Sequence, residues 1–202
     1  MATSNKVQIT NYPFEINQGI VLVVGDVDLS RTCMAFNMCM VKRSETKDYT
    51  KLRPVIQVNG NIQHDVIVSS YDSFPTSFPD QALVIIDNYP SLNHLMQNNP
   101  DFERILSHGC IENNILFFIT LKDCTIPPAF LPFVDVVVCT FSSQLALLHE
   151  QWFSKHFQYM QAFQDLLTHV VMSSPDATTS LVWQKDKSLY FYRMRKEQIV
   201  FM

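Results

Sequence analysis

Glycine is scarce in this chain: four residues out of 202. So few leave little room for a glycine-rich loop whose bare amides converge on phosphate. No apolar run reaches the roughly 18 residues of a membrane span, so no transmembrane helix is expected. The first residues, Met1-Ala2-Thr3-Ser4-Asn5-Lys6, lack the charged-then-apolar layout of a secretory signal. Cysteine is odd in number, at five, and has no C-x-x-C spacing. That pattern suits reduced thiols in a cytosolic compartment. Charge is low at 17% of residues, with a net value of −4. Nothing in that balance attracts nucleic acid strongly, so any such contact needs a local patch. No Ser, His and Asp set sits in a nucleophile-elbow context. Repeats, low-complexity tracts and domain boundaries are also missing, and residues 1–202 read as one domain.

What is there is a series of short, continuously apolar runs. Residues 19–24 (Gly-Ile-Val-Leu-Val-Val), 82–88 (Ala-Leu-Val-Ile-Ile-Asp-Asn), 114–120 and 134–140 read as strands buried on both faces. Residues 53–58 and 65–70 add two more strands, with Asn59-Gly60-Asn61 as a turn and residues 71–80 as a loop. Residues 7–10 suggest an edge strand. Residues 33–41 are apolar and rich in Met, and read as a buried helix followed by a charged loop over 42–51. Residues 92–108 read as a helix split at Pro100. Its second half has Asn99 as N-cap, Pro100 at the first helical position and Gly109 as the stop. From 142 to about 171, apolar residues fall three to five apart, as in an amphipathic helix or a broken pair. Residues 180–184 and 189–193 form a closing hairpin. Strands alternating with helices predict an α/β fold, a mostly parallel central sheet with helices on both faces.

Two of these strands end in residues with chemistry. The first runs into Gly25-Asp26-Val27-Asp28-Leu29-Ser30-Arg31-Thr32. Strand, Gly, four residues, a small residue, a basic residue, Thr and then helix is the layout of a P-loop, G-x-x-x-x-G-K-[ST]. Gly25, Arg31 and Thr32 hold their slots, while Ser30 takes the second glycine position. The other strand ends on Asp87, where ligands sit in open α/β sheets. A turn-capping role for Asp87 fits the same stretch equally well. Val24 and Ile86 are expected on neighbouring strands.

With these blocks in hand, the chain resembles the poxvirus-type genome-packaging ATPases of large DNA viruses, a branch of the FtsK–HerA superfamily of P-loop NTPases. The resemblance spans roughly residues 19–141. It runs through Ala82-Leu83-Val84-Ile85-Ile86-Asp87-Asn88, where the family has an apolar strand ending in an acidic pair. It continues through Phe102-Glu103-Arg104-Ile105-Leu106-Ser107-His108-Gly109, where the family has a helix ending in Gly-Arg-His. Residues 113–120 stand for its sensor strand, and Ile126-Pro127-Pro128 with residues 134–138 for its proline turn and last core strand. The late pair Ser180-Leu181-Val182-Trp183 and Leu189-Tyr190-Phe191-Tyr192 is similar too. The resemblance implies a RecA/ASCE-type domain in which Gly25, Ser30, Arg31 and Thr32 are the nucleotide-binding positions. Asp87, Asn88 and Thr120 would be the catalytic ones, and Thr32 and Asp87 the Mg²⁺ ligands.

The departures from that family all fall on catalytic slots. Asp26 and Asp28 occupy the loop. At 4 Å and an effective dielectric near 20, each carboxylate repels a phosphate charge by about 4 kcal/mol. Repulsion of that size weakens affinity roughly a thousandfold. Arg31 replaces Lys with a longer, planar head. Asn88 replaces the second acid and cannot take a proton from water, a loss of about 10²–10⁴ in rate. Cys110 and Ile111 stand where the family has Arg-His. Thr120 and Lys122 lie where it prefers Gln or Asn. Together these changes imply a chain that keeps the fold and has lost hydrolysis, with no cofactor expected. Such a chain would serve as a structural or assembly partner of itself, of an active packaging ATPase or of capsid proteins. It would work in host cytoplasm or a viral factory, with the virion as a further location. An active divergent ATPase using Mg-ATP is the alternative reading, and a virion structural protein without nucleotide is another.

Other features are weaker. His108 and Cys110 are too few for a metal site. His149 and His156 read as solvated or core-edge histidines. Arg193, Arg195 and Lys196 among Tyr190, Phe191, Tyr192 and Met194 fit an edge strand with solvated charges better than a DNA contact. The aromatics between Trp152 and Phe163 are core or subunit interface.

Overall fold

A computed structural model describes residues 8–45, 55–58, 66–69, 77–89, 91–140, 143–155, 157–169, 179–185 and 189–194. In chain order the elements are β1 (Gln8–Thr10), β2 (Gly19–Val24), α1 (Asp28–Ser44), β3 (Val55–Val58) and β4 (Val66–Ser69). Next come β5 (Leu83–Tyr89), α2 (Leu92–Asn98), α3 (Phe102–Glu112), β6 (Leu116–Leu121) and β7 (Val136–Cys139). The chain continues with α4 (Leu145–Leu148), α5 (Met160–Leu167), β8 (Thr179–Gln184) and β9 (Tyr190–Arg193). The strands form a nine-stranded sheet in the order β1-β9-β8-β7-β2-β6-β5-β3-β4. Only β8 runs against its neighbours, β7 and β9; the other described pairings are parallel. The expected α/β fold with its closing hairpin is therefore present.

Period-two alternation along the strands divides the core into two layers. Val21, Val23, Leu83, Ile85, Leu116, Phe118, Val136 and Val138 face one side. There they meet Met34, Ala35, Met38 and Cys39 of α1. Ile20, Leu22, Val24, Val84, Ile86, Phe117 and Ile119 face the other side. That face is covered by α2, α3, α5 and the Trp152–Phe153 turn. At the bookkeeping value of about 25 cal/mol per Å² of apolar surface, this two-sided burial is the main force holding the sheet.

Several boundaries differ from expectation, each for a physical reason. β6, not β5, is the neighbour of β2, so Val24 and Ile86 lie on strands separated by one. All six β6 residues are buried, and a strand with no polar face belongs inside the sheet. Helix α1 begins at Asp28 rather than Cys33 and carries Lys42, Arg43 and Ser44 in its last turn. Lys42 is buried there because the N-terminal segment wraps it: it donates to the Tyr12 hydroxyl at 3.1 Å and the Phe14 carbonyl at 3.2 Å, and pairs with Glu45 at 2.9 Å.

Helix α3 starts at Phe102 and runs through Gly109 to Glu112. Gly109 is there for clearance, since a Cβ would stand 2.9 Å from the Phe117 ring. β9 is covered by β1 and is not the edge. The stretch after 142 is a broken pair in which Trp152, Phe153 and Phe163 fill the core while Tyr159 is exposed: Phe153 stacks on Phe163 at 4.9 Å and Trp152 meets Trp183 at 5.1 Å. The turn at 59–61, residues 46–51 of the charged loop, residues 71–76 of the next loop, His156, Arg195 and Lys196 lie outside the described residues.

Gly19 opens β2 with φ at +125°, a conformation that L side chains rarely adopt. The Ile20 N–H beside it donates to Asp135 Oδ2 at 2.9 Å, locking β2 to the start of β7. A Cβ at residue 19 would lie 2.3 Å from that oxygen. Gly19→Ala is expected to cost about 2–4 kcal/mol from strain and clash together. The check is a drop in the urea midpoint at unchanged m-value.

Candidate functional site

The same alternation that builds the core sets the site. Residues 83 and 85 face α1, and so does the next residue of that parity, Asp87. Residues 116 and 118 face α1, and so does Thr120. Ile86 pairs with Ile119 and Tyr89 with Leu121, so the register shifts across Asp87 and Asn88, and Asp87 meets Thr120 at the carboxyl ends of the two strands. Thr32, in the second turn of α1, comes down onto them. Its hydroxyl lies 2.9 Å from both Asp87 oxygens. The Thr120 hydroxyl donates to Asp87 Oδ1. All three side chains are buried, with Asp87 and Thr120 at 0% exposure. A carboxylate taken out of water is tolerable only when hydrogen bonds replace its hydration, and both threonines supply them. Burial pushes the thiol of Cys33 upward, and the charge of Asp87 pushes it the same way. Thus Asp87, Thr32 and Thr120 meet even though β6 separates β2 from β5, because α1 lies over β5 and β6.

The loop ahead of α1 departs from its expected form. The connection from β2 is only Gly25-Asp26-Val27, because α1 begins at Asp28. No glycine between 26 and 32 holds the chain open, and Asp28 in the first turn suits the positive end of the helix dipole. Ser30, Arg31 and Thr32 are therefore helical, and the Arg31 N–H is already bonded to the Val27 carbonyl at 3.2 Å. Arg31 is 2% exposed. Its Nη1 donates to the Gly25 carbonyl and its Nη2 to Asp28 Oδ1. Its Nε is buried without a hydrogen-bond partner among the described residues.

Asp26 turns away from this spot, accepting from the Ser143 N–H at 2.7 Å. Thr140 donates to the Val24 carbonyl through its N–H at 2.9 Å and its hydroxyl at 3.0 Å, fixing the end of β2. Only Asp28, of the two loop carboxylates, meets the basic residue.

A bound nucleotide with Mg²⁺ would make two demands here, and the residues meet one. Thr32 and Asp87 are oxygen donors in contact, which fits a hard cation. The phosphate cradle does not fit. The Arg31 head fills the loop, and the carboxylate of Asp28 stands where an anion would be drawn. Asn88 lies in β5 between Asp87 and Tyr89. Lys122 is exposed just past β6. Gly109, Cys110 and Ile111 lie at the other end of the sheet. There burial, with the charge of Asp135 in addition, pushes the Cys110 thiol up to about 12. The length of β2, about 17–20 Å for six residues, separates them from Thr32 and Asp87.

Sequence reasoning missed three ties: Asp28 to Arg31, Asp26 to Ser143, and Thr140 to Val24. The first had a signal, an acid and a base three apart at a helix start. The other two join residues 117 and 116 apart and had none.

No protein-family model matches the sequence, and no curated protein sequence is significantly similar to it. Solved structures do match. The DNA-packaging ATPase B204 from Sulfolobus turreted icosahedral virus superposes with a TM-score of 0.56 at 10% identity, over 90% of this chain and all (100%) of that one. The genome-packaging NTPase from Sulfolobus turreted icosahedral virus 2 in complex with AMPPCP gives 0.56 at 8% identity, covering 90% and 100%. The same protein in complex with ATP-gammaS gives 0.55 at 9% identity, covering 88% and 98%. At such identities the likeness shows a shared fold: this chain has a packaging-ATPase-like α/β fold.

Thr32→Val keeps the shape of the side chain and removes one buried donor to Asp87. It is expected to lower the unfolding free energy by about 1–3 kcal/mol in urea titrations. A change within about 0.5 kcal/mol, as for an ordinary surface site, would mean that the hydroxyl is not engaged.

Proposed function

We propose that this chain is a packaging-ATPase-like viral protein that has lost ATP hydrolysis. It acts as a structural or assembly partner in virion morphogenesis or genome packaging, in the viral factory or host cytoplasm. Its partners are proteins: itself, an active packaging ATPase or capsid components. The observation that carries this reading is the Arg31 guanidinium folded onto the Gly25 carbonyl and Asp28, inside the loop that a triphosphate would need. Asn88 in place of a second acid supports it, as does the absence of an Arg-His pair after Gly109. The fold neighbours are viral packaging NTPases, two of them complexed with nucleotide analogues, and that supports the packaging context.

One observation favours a second reading. The Thr32–Asp87 contact keeps a cation-binding pair intact, which suits an active, divergent ATPase that drives DNA packaging with Mg-ATP. A third reading, a virion structural protein without nucleotide, differs from the first in needing no active ATPase as partner. Co-purification with an ATPase that has an intact P-loop separates those two.

Steady-state turnover of Mg-ATP decides the main question. The expected rate is no more than about 10⁻³ s⁻¹, far under the 1–10³ s⁻¹ of ordinary enzymes. Turnover near 1 s⁻¹ that Asp87→Ala abolishes would establish the second reading instead.

A further inference from the structure

The 17-residue helix α1 presents its positive end beside a buried cation, and that combination normally draws an anion. Arg31 is 2% exposed, sits against the loop and leaves its Nε without a partner among the described residues. A guanidinium offers five N–H donors in a fork shaped for carboxylate or phosphate oxygens. One arm is taken by the Gly25 carbonyl and the other by Asp28 Oδ1. The carboxylate of Asp28 has the charge and acceptor geometry of a phosphate oxygen.

We propose that Asp28 is a built-in competitor that keeps phosphate-bearing ligands off Arg31, making it the residue that sets the anion specificity of this loop. The proposal rests on the reading above only in treating the β2–α1 connection as derived from a phosphate site. The competitor is poised rather than locked in. The Asp28 side chain is 72% exposed, while its partner is 2% exposed, so water contests one end of the pair and salt screens it. Taking away the carboxylate charge leaves a buried fork, a helix N-terminus and no adjacent acid from this pair. Asp26 does not replace it, since its carboxylate is held by the Ser143 N–H at 2.7 Å.

The test is isothermal titration of the full chain with inorganic tripolyphosphate and, separately, with Mg-ATP. The proteins are wild type, Asp28→Asn, Asp28→Ser and the double variant Asp28→Asn with Arg31→Gln. Asp28→Asn keeps an oxygen acceptor beside the Arg31 fork and Asp28→Ser keeps a smaller one, so each variant is checked by its melting curve and the folded ones are titrated. Wild type is expected to bind tripolyphosphate weakly. A folded single variant should bind it about tenfold tighter or more, as for removal of one screened like charge. The double variant should lose that gain. Equal gains with both probes mean that the phosphates alone are read; a larger gain with Mg-ATP means that the nucleoside or metal adds to the same site. Either result supports the proposal. Folded single variants that titrate like wild type would overturn it, as would a gain that survives Arg31→Gln. Neither overturning result depends on turnover by the wild type, so the loss-of-hydrolysis reading stands or falls separately.

Discussion

The Arg31 guanidinium, buried between the Gly25 carbonyl and the Asp28 carboxylate, is the constraint from which the rest of the site follows. A buried cation must be paired or it destabilises the fold, and the penalty is several kcal/mol. Here the pairing partners come from the loop's own first residue and the helix's own first turn. Satisfying Arg31 therefore draws its guanidinium into the β2–α1 connection. It also fixes where α1 begins: with Asp28 helical, Ser30 cannot serve as an open backbone position, and the Arg31 N–H is already bonded to Val27. Loop length, helix start and charge pairing are one arrangement.

Beneath that arrangement the sheet keeps a polar centre that a purely structural core would not need. Asp87 is fully buried and accepts from two threonines that come from different elements. Apolar residues at these positions would pack without any hydrogen-bond requirement. A buried polar network is kept at a cost, and departures of this kind from an apolar core cluster at functional sites. Thr32 and Asp87 are thus in contact beneath the loop, while the Arg31 head lies against Gly25 and Asp28 within it. The chain shares its fold with viral packaging NTPases, and the Arg31–Asp28 pair is the feature of its β2–α1 loop on which the proposed function rests.

The strands were legible because their apolar runs are short, continuous and rich in Val and Ile. Each of the buried runs at 19–24, 82–88, 114–120 and 134–140 contains a strand. The shared face of Asp87 and Thr120 emerged only with the structure, because strands buried on both sides show no polar alternation to read. Strand order was not legible: nothing local in residues 116–121 announces that β6 lies between β2 and β5, because order is set by long-range packing. The start of α1 was misplaced because the P-loop layout suggests loop through residue 32, while the residues present there have no glycine to hold a loop open. Gly109 misled in the opposite direction, as a helix stop that is in fact a site of close approach to Phe117. Gly25, Ser30, Arg31 and Thr32 lie at the β2–α1 connection and the first turns of α1, but the direction of Arg31 depends on Asp28, a pairing visible only once the helix start is known.

The central claim is that the Arg31 head, not a phosphate, occupies the β2–α1 loop. A crystal structure of the wild-type chain grown with millimolar Mg-ATP-gammaS tests this most directly. The account predicts Arg31 bridging the Gly25 carbonyl and Asp28, with no triphosphate in the loop. Density for a triphosphate against residues 25–32, with Arg31 swung off Asp28, would contradict it.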